Sequence, residues 1–376
     1  MLATDSKTLS PMTSSPPFKI AHIDTGLSLR GGQRQMLMLA QGLRARGHDQ
    51  VIVCLEGSSL EGRALQDGFR VFSMPAHDPG HAFGILLWRQ QIKTWAPHIL
   101  HAHDGRGQTL AWLASVGLPV RRVASRRVTF FPSDRWTYRL KYGRTCHAVI
   151  AVSENIRELS VQAGVAREQI TVIPDGVEIR AELPSAAERL RLRRSWQCEN
   201  DDFVVGLLGA STPEKGQDTA LAALPMLKEN LPQVRLVFAG DPAIPGGWVI
   251  TSSQIVRFGM IEELASFFPG LDLFVMPSKA EGLGSSALWA MAYGLPVVAT
   301  RVGGLPEIVL ENETGWLIPP GSPEALADAI LQASRDREKL IAFGRQGRER
   351  AEGFSAAIMV SRTEALYQRL ICGGYP

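Results

Sequence analysis

The chain of 376 residues carries 40 Lys and Arg residues against 37 Asp and Glu residues, and 45% of its residues are hydrophobic. This length predicts two domains, each with its own core, and the composition is that of a globular protein rather than a disordered or fibrous one. No apolar run reaches the roughly 18 residues that span a bilayer. Residues 1–17 are polar and proline-containing, so we expect a disordered tail and a cytoplasmic protein.

Charge is distributed unevenly along the chain. Basic residues outnumber acidic ones in residues 1–175, and the reverse holds in residues 176–376. A basic first half predicts an anionic partner, and charge alone leaves open membrane lipid, an anionic glycan, nucleic acid or a chance distribution. The four cysteines fit no metal-binding or redox spacing, so we expect buried, reduced thiols. They are Cys54, Cys146, Cys198 and Cys372.

The first half alternates predicted strands with predicted helices. A strand at 18–23 leads into a loop containing Gly31 and Gly32, and an amphipathic helix follows. These glycines either bring backbone N–H groups close to a phosphate or only turn the chain. Further strands are predicted at 51–55, 69–73, 99–104, 120–125, 147–152 and 170–173, and helices at 60–66, 83–95 and 108–116.

One of these strands ends in polar groups, His101, His103 and Asp104. The carboxyl ends of parallel strands line the ligand crevice of such sheets, so we expect His103 to face the crevice. Metal binding by the two histidines is not expected, because no third ligand other than Asp104 is evident nearby.

Residues 126–144 interleave basic and aromatic side chains. Such a segment suits a membrane surface, or stacking on nucleic-acid bases, or a helix with its rings in the core and its arginines in water. The sequence leaves these alternatives open. Salt-dependent oligonucleotide binding would reveal a nucleic-acid module, but our prediction is that no nucleic acid is bound.

The second half repeats the alternation after a boundary near residue 178. We therefore predict an α/β protein with two parallel, doubly wound sheets facing each other across a cleft. Strands are predicted at 203–208, 234–241, 255–259, 271–276 and 297–300, and helices at 181–196, 219–227, 287–293, 323–333, 337–352 and 356–370.

The stretch from Met276 to Ile308 is the most informative part of this half. Residues 281–286 supply two glycines and two serines directly before an apolar helix. Glycines allow close approach of the backbone to a ligand, and the first N–H groups of the helix point into the loop. The pattern is typical of an anion site, often for phosphate. An ordinary strand–helix–strand unit whose glycines only make turns is the alternative.

Seven short motifs follow one another along the chain: 31–34 (GGQR), 100–103 (LHAH), 150–154 (IAVSE), 172–177 (VIPDGV), 213–216 (PEKG), 281–284 (EGLG) and 303–307 (GGLPE). In this order they resemble the family-4 retaining glycosyltransferases, over residues 18–376. The resemblance implies a GT-B fold with two Rossmann-like domains. It implies an acceptor domain at 18–178, a nucleotide-sugar donor domain at 179–355, and a last segment, 356–376, that packs back on the first domain.

The residues themselves suit the cleavage of a nucleoside-diphospho-sugar, because the leaving diphosphate needs cations or backbone N–H groups. Lys215 is a candidate cation, Glu281 a candidate acceptor of hydrogen bonds from sugar hydroxyls, and His103 a candidate contact to the sugar or the acceptor. An exposed lysine and an acid favoured by a helix dipole are the structural alternatives. The predicted donor-binding residues are Gly31, Gly32, Gly209, Gly259, Gly282, Leu283, Gly284, Ser285 and Trp289.

The resemblance further implies retention of anomeric configuration without an obligatory protein nucleophile, and neither a metal nor a cofactor. The expected partners are a UDP- or GDP-sugar and a glycan or lipid-linked acceptor. We expect a role in bacterial cell-surface polysaccharide or lipopolysaccharide synthesis, with the basic first domain in peripheral contact with the inner face of the cytoplasmic membrane.

Two positions depart from the family pattern. Trp289 replaces the second glutamate of the motif, and Ala210 stands where an arginine is frequent. An indole cannot accept hydrogen bonds from a ribose. These departures leave open a catalytically weak or inactive nucleotide-sugar-binding protein. An epimerase on the same fold is less favoured, because such an enzyme requires more acidic groups in its cleft.

Overall fold

The computed structural model describes residues 17–75, 82–129, 135–240, 248–261 and 263–373. Nearly all of the predicted tail, residues 1–16, therefore lies outside the described residues. The rest forms two seven-stranded sheets with helices between their strands. The prediction of two Rossmann-like α/β domains is confirmed.

The first lobe contains a fully parallel sheet in the order β3-β2-β1-β4-β5-β6-β7. Its strands are β1 (Lys19–Ile23), β2 (Asp49–Leu55), β3 (Arg70–Met74), β4 (Ile99–Ala102), β5 (Arg121–Arg126), β6 (Ala148–Ala151) and β7 (Ile170–Val172). Its helices are α1 (Gly31–Ala45), α2 (Ser59–Gln66), α3 (Ala82–Trp95), α4 (Gly105–Ser115), α5 (Arg135–Tyr138), continued by a π-helical turn (Arg139–Arg144), and α6 (Glu154–Gln162).

The second lobe contains a sheet in the order β10-β11-β9-β8-β12-β13-β14, in which β10 alone runs antiparallel to its neighbour. Its strands are β8 (Phe203–Leu208), β9 (Val234–Ala239), β10 (Trp248–Ser252), β11 (Ile255–Phe258), β12 (Leu273–Met276), β13 (Val297–Thr300) and β14 (Gly315–Ile318). Its helices are α7 (Ala186–Ser195), α8 (Gln217–Asn230), α9 (Ser285–Ala292), α10 (Leu305–Ile308), α11 (Pro323–Arg335) and α12 (Arg337–Glu352).

The sequence did not predict β10 and β14. Both are edge strands of the second sheet, with five and four residues. Central parallel strands are covered on both faces and read as continuous apolar runs, whereas an edge strand has neighbours on one side only. The prediction of an entirely parallel second sheet is therefore wrong at β10.

The order of the strands positions the functional cleft. In the first sheet β2 and β3 are added on one side of β1, and the strands from β4 onward on its other side. In the second sheet the same change of side occurs between β8 and β12. Loops at the carboxyl ends of these strands separate there and leave a crevice. The two crevices contribute the two walls of the cleft between the lobes.

The chain passes between the lobes twice, and both passages lie side by side. Val177 N–H donates to Phe354 O at 2.9 Å, and Ala356 N–H donates to Val177 O at 2.9 Å. The last helix, α13 (Ala356–Cys372), then packs on α1 of the first lobe. Its Tyr367 hydroxyl lies 2.6 Å from Nδ1 of His101, so the predicted return of the last helix is confirmed.

Two smaller expectations concern exposure. Cys372 is exposed at the end of α13, so the prediction of four buried thiols is wrong for this residue and correct for the other three. Within the described residues, none of the helices combines the length and apolar character needed to cross a bilayer.

Candidate active site

Lys215 and Glu281 form an ion pair at the cleft wall of the second lobe. Nζ of Lys215 lies 2.5 Å from Oε1 of Glu281, and Ser278 donates its hydroxyl to the same oxygen at 3.1 Å. Glu281 is buried, whereas the Lys215 side chain is 30% exposed. An ammonium group has three N–H donors, so the contact with Glu281 leaves donors for an anion in the cleft.

The helix α9 begins next to this pair. Its N-cap is Gly284 with φ +99°, a left-handed conformation that favours glycine. A Cβ atom at Gly284 would also lie 2.4 Å from Cδ2 of Leu305. The first N–H groups of a helix have no acceptor within the helix, so those beginning near Ser285 provide positive dipole ends beside the cation at Lys215.

Backbone of the first lobe approaches this helix start closely. A Cβ atom on Gly31 would lie 3.9 Å from Oγ of Ser285, and one on Gly32 would lie 4.0 Å from Cδ of Arg127. A Cβ atom on Gly282 would lie 2.0 Å from the carbonyl oxygen of Arg127. The glycine loops of the two lobes, which are far apart in sequence, therefore face each other across one cleft.

Three glycines build the adjoining part of the second lobe. Gly209 N–H donates to Ala239 O, and Gly240 N–H donates to Gly259 O, each at 2.9 Å. A Cβ atom on Gly240 would lie 2.7 Å from Gly209 O, and one on Gly209 would lie 3.5 Å from the Lys215 side chain. The predicted residues Gly209 and Gly259 thus belong to one backbone-lined surface next to Lys215.

A cluster of three buried histidines lies behind the first-lobe wall. Ring nitrogens of His22, His101 and His103 lie within 4.8 Å of one another, a spacing that three metal ligands would have. The sequence analysis did not identify His22, which lies on the neighbouring strand β1. In the structure, however, these nitrogens are hydrogen-bonded to protein groups. The expectation that no metal is bound stays a prediction.

The partners of the cluster fix the position of its protons. Gln50 uses its Nε2 to donate to Ala40 O, so its Oε1 accepts a hydrogen bond from Nε2 of His22 at 3.0 Å. Neutral His22 then accepts at Nδ1 from Nε2 of His103 at 3.1 Å. This leaves the Nδ1 lone pair of His103 facing Nη1 of Arg127 at 3.4 Å.

Burial keeps these rings neutral. It lowers the pKa of His22 to about 4. Burial, with the charge of Arg127 as a further cause, holds the pKa values of His101 and His103 well below their ordinary range. The ring nitrogens of His103 are therefore occupied by His22 and Arg127, and its direct contact with a substrate stays a prediction.

Arg127 is a cleft residue that the sequence analysis did not single out. Its Nε lies 2.9 Å from Oδ1 of Asp175, and both side chains are largely buried. Arg127 appeared only within a basic and aromatic stretch, and its partners His103 and Asp175 lie 24 and 48 positions away. No local spacing could have indicated this contact.

Trp289 lies in α9, one helical turn after Ser285, and is half-buried against the apolar core. Ala210 follows Gly209 on the glycine-lined surface. The structure therefore places both departures from the family pattern in elements that form the candidate site. Their effect on nucleotide binding stays open.

Comparison with known families agrees with this geometry. Residues 29–181 match the model of Glycosyltransferase Family 4, and residues 188–350 match that of Glycosyl transferases group 1. Together the two matches cover both lobes and the loops around Lys215 and Glu281. The chain belongs to the family-4 glycosyltransferases.

Individual relatives of this glycosyltransferase have diverse names. The GDP-mannose-dependent alpha-(1-6)-phosphatidylinositol monomannoside mannosyltransferase of Mycolicibacterium smegmatis is 27% identical over 351 residues, 85% of this chain and 90% of the relative. The capsular polysaccharide biosynthesis glycosyltransferase CapM of Staphylococcus aureus is 25% identical over 234 residues, 59% of this chain and 62% of the relative.

Solved structures share the fold of this glycosyltransferase. Anabaena HepE in complex with UDP-glucose superposes with a TM-score of 0.82 at 21% identity, covering 93% of this chain and 99% of HepE. At this identity the likeness establishes the GT-B fold and leaves donor and acceptor undetermined.

Proposed function

We propose that this glycosyltransferase moves a sugar from a UDP- or GDP-sugar to a glycan or lipid-linked acceptor, with retention of anomeric configuration. The observation that carries the proposal is the Lys215–Glu281 pair beside the start of α9, faced across the cleft by Gly31. Names of relatives support a nucleotide sugar as donor, since they include GDP-mannose and UDP-glucose.

In the proposed reaction, the bond between the anomeric carbon and the diphosphate oxygen breaks, and the nucleoside diphosphate leaves with its electron pair. The acceptor hydroxyl oxygen bonds to the anomeric carbon on the same face, and its proton passes to a phosphate oxygen. Negative charge grows on the diphosphate during this step. Lys215 and the first N–H groups of α9 stabilise that charge where it develops.

Other residues of the site position the sugar and add charge from the opposite lobe. Glu281, held by Ser278 and Lys215, accepts hydrogen bonds from sugar hydroxyls. Arg127 contributes a cation from the opposite lobe, oriented by His103 and Asp175.

Substitution of the pair tests these roles. We expect Lys215→Ala to reduce turnover about a hundredfold or more, as removal of one stabilising donor does in other enzymes. Glu281→Gln, which keeps the side-chain shape, is expected to weaken turnover and sugar binding together. The measurement is release of nucleoside diphosphate from a panel of UDP- and GDP-sugars with glycan and lipid acceptors. Lys228→Ala, an exposed lysine on α8, is the control.

Activity equal to that of the unchanged protein in both site variants would refute the assigned roles. A second candidate function is nucleotide-sugar binding without turnover, which Trp289 and Ala210 favour. Tight donor binding by the unchanged protein, with no transfer across the whole acceptor panel, would establish this alternative.

We further propose that the protein acts in bacterial cell-surface polysaccharide or lipopolysaccharide synthesis, at the inner face of the cytoplasmic membrane. The relatives named for capsular polysaccharide and phosphatidylinositol mannoside synthesis support this assignment. The first lobe also exposes large apolar side chains: Leu86 on α3, Leu113 on α4, and Trp136 on α5. We expect salt-sensitive co-sedimentation with anionic vesicles and none with neutral ones. Equal sedimentation with both would contradict an electrostatic membrane contact.

A further inference from the structure

A pocket of about 600 Å³ opens at the loops that follow β1 and β4 of the first lobe. These two neighbouring strands lie where the order of the strands changes from one side of the sheet to the other, which is where open α/β sheets bind ligands. The volume lies within the range of small-molecule sites. The pocket reaches Arg30, directly before Gly31, so it adjoins the cleft on the side opposite the donor lobe.

Three basic side chains from three separate elements line this pocket: Arg30 before α1, Arg106 in α4, and Lys141 in the π-helical turn. Arg30 Nε donates to a neutral hydroxyl, Oγ of Ser28, at 3.1 Å. Nζ of Lys141 lies 5.8 Å from the centre of the Tyr142 ring. Asp104 lines the same pocket and its charge acts on Lys141, so three positive side chains face one carboxylate among the described lining residues.

Lys141 is the most informative of the three. Its side chain is half-buried, and burial lowers the pKa of its ammonium group, while the charge of Asp104 acts in the opposite direction. The charged form is thus incompletely solvated by water. An anion in the pocket would compensate for this loss of solvation.

Carboxylates near the pocket already have donors from the chain. Asp104, the acidic residue among the described lining residues, accepts hydrogen bonds from the Thr25 hydroxyl and from Gly107 N–H. Asp24 lies behind it and accepts from Gln33 Nε2 at 2.8 Å. Burial and the charge of Asp104 raise the pKa of Asp24. Three positive side chains against one carboxylate among the described lining residues give the pocket a positive potential.

We infer that this pocket binds a phosphate group carried by the sugar acceptor. A phosphate offers several acceptor oxygens and up to two negative charges, which suits cations that approach from three directions better than one carboxylate does. The same group is found on a lipid headgroup or on a water-soluble sugar phosphate. This inference rests on the proposed transfer function, for which it names the acceptor class. A phosphate held here directs the rest of the acceptor towards Gly31 and the donor side of the cleft.

The test uses the full chain with the donor site filled by UDP or GDP, so that added phosphate compounds cannot occupy it. Isothermal titration compares glucose 6-phosphate, glucuronate and glucose, which share a sugar ring and differ in charge. We expect glucose 6-phosphate to bind about tenfold or more tightly than the other two, and more weakly as salt rises. Equal affinity for all three, or a preference for glucuronate, would overturn the inference.

Vesicles distinguish the two sources of phosphate. Competition between glucose 6-phosphate and phosphatidic acid vesicles, with none from phosphatidylcholine vesicles, indicates a lipid phosphate. Binding of glucose 6-phosphate without such competition indicates a soluble acceptor. Both results support a phosphate site.

Variants locate the binding in this pocket. We expect Lys141→Ala and Arg106→Ala each to weaken glucose 6-phosphate binding about tenfold while leaving nucleotide affinity unchanged. Lys141→Met keeps the apolar stem of the side chain and guards against a loss of folding. Arg144→Ala removes an exposed cation from the same π-helical turn and is the matched control.

Unchanged binding in the pocket variants, or an equal loss in Arg144→Ala, would overturn the assignment. A failure of the proposed function appears separately, either as donor binding without transfer across the acceptor panel or as absence of UDP and GDP binding altogether. In the latter case the phosphate titrations are repeated in Lys215→Ala, from which the other candidate anion-binding cation has been removed.

Discussion

At the scale of single residues, the backbone of Gly282 in the second lobe packs directly against the backbone of Arg127 in the first. A Cβ atom at this position would lie 2.0 Å from the main-chain carbonyl oxygen of Arg127, which cannot turn aside as a flexible side chain does. The lobes of Gly282→Ala must therefore move apart locally. Displacement of reacting groups by about 1 Å can cost a hundredfold in rate, so we expect kcat/KM to fall by about that factor while each lobe stays folded.

Steady-state kinetics and thermal unfolding check this prediction. Gly62→Ala is the control, because this position lies within α2 and a Cβ atom there would meet nothing within 4 Å. It should leave activity unchanged and slightly favour the helix. Normal kinetics in Gly282→Ala would mean that close contact of the lobes at this point is dispensable for transfer.

The candidate site was predictable from sequence to the extent that its residues lie in short motifs. Lys215, Glu281 and Gly284 each follow a buried strand and precede a helix, so their loops could be recognised locally. The structure brings them together, but their roles stay predictions. Arg127 and His22 were missed because each acts through partners on other elements.

At the scale of elements, predicted boundaries failed where capping decides them. The helix predicted at 181–196 begins at Ala186, because the Ser185 hydroxyl accepts from Glu188 N–H and the Glu188 carboxylate accepts from Ser185 N–H. α9 begins at Ser285, two residues before its predicted start, because the two polar residues Ser285 and Ser286 form its first turn ahead of the apolar run. Apolar periodicity locates the body of a helix, whereas the first turn depends on such polar contacts.

Contacts between elements of different lobes were also beyond local patterns. The carboxylate of Glu307, after β13, accepts hydrogen bonds from Glu154 N–H and Asn155 N–H at the start of α6 in the first lobe. The N-cap residue of α6, Ser153, donates its hydroxyl to Gly282 O at 2.7 Å. Three motifs, one in the first lobe and two in the second, thus form one joint, and the carboxylate of Glu307 stabilises the start of α6 through charge and hydrogen bonding.

At the scale of the whole molecule, the buried histidines make stability depend on pH. The pKa of His22 is about 4 in the folded chain, and an unfolded histidine takes up a proton near pH 6.5. Below that pH the unfolded chain binds more protons, so folding stability is present above pH 6.5 and is lost as pH falls. We expect His22 alone to account for about 2 kcal/mol at pH 5, with His101 and His103 adding to the effect.

Thermal unfolding at pH 7.5, 6.5, 5.5 and 5.0 measures this dependence above the range in which ordinary carboxylates titrate. His22→Gln should flatten the decline, although its stability at pH 7.5 is lower. His98→Gln, at an exposed position before β4, is the matched control and should keep the decline. A melting temperature that stays constant from pH 7.5 to 5.0 would contradict the buried neutral cluster.

A β-bridge between Val177 and Ser355 joins the two places where the chain crosses between the lobes, and it restricts how the lobes can move. Because the two chain crossings are bonded to each other, we expect the lobes to move by rotation about these crossings rather than by sliding. A wider angle between the lobes would break the hydrogen bond from Ser153 to Gly282 O and those from the amides of α6 to Glu307. Under the proposed transfer function, we expect variants that weaken these hydrogen bonds to release the nucleoside diphosphate faster.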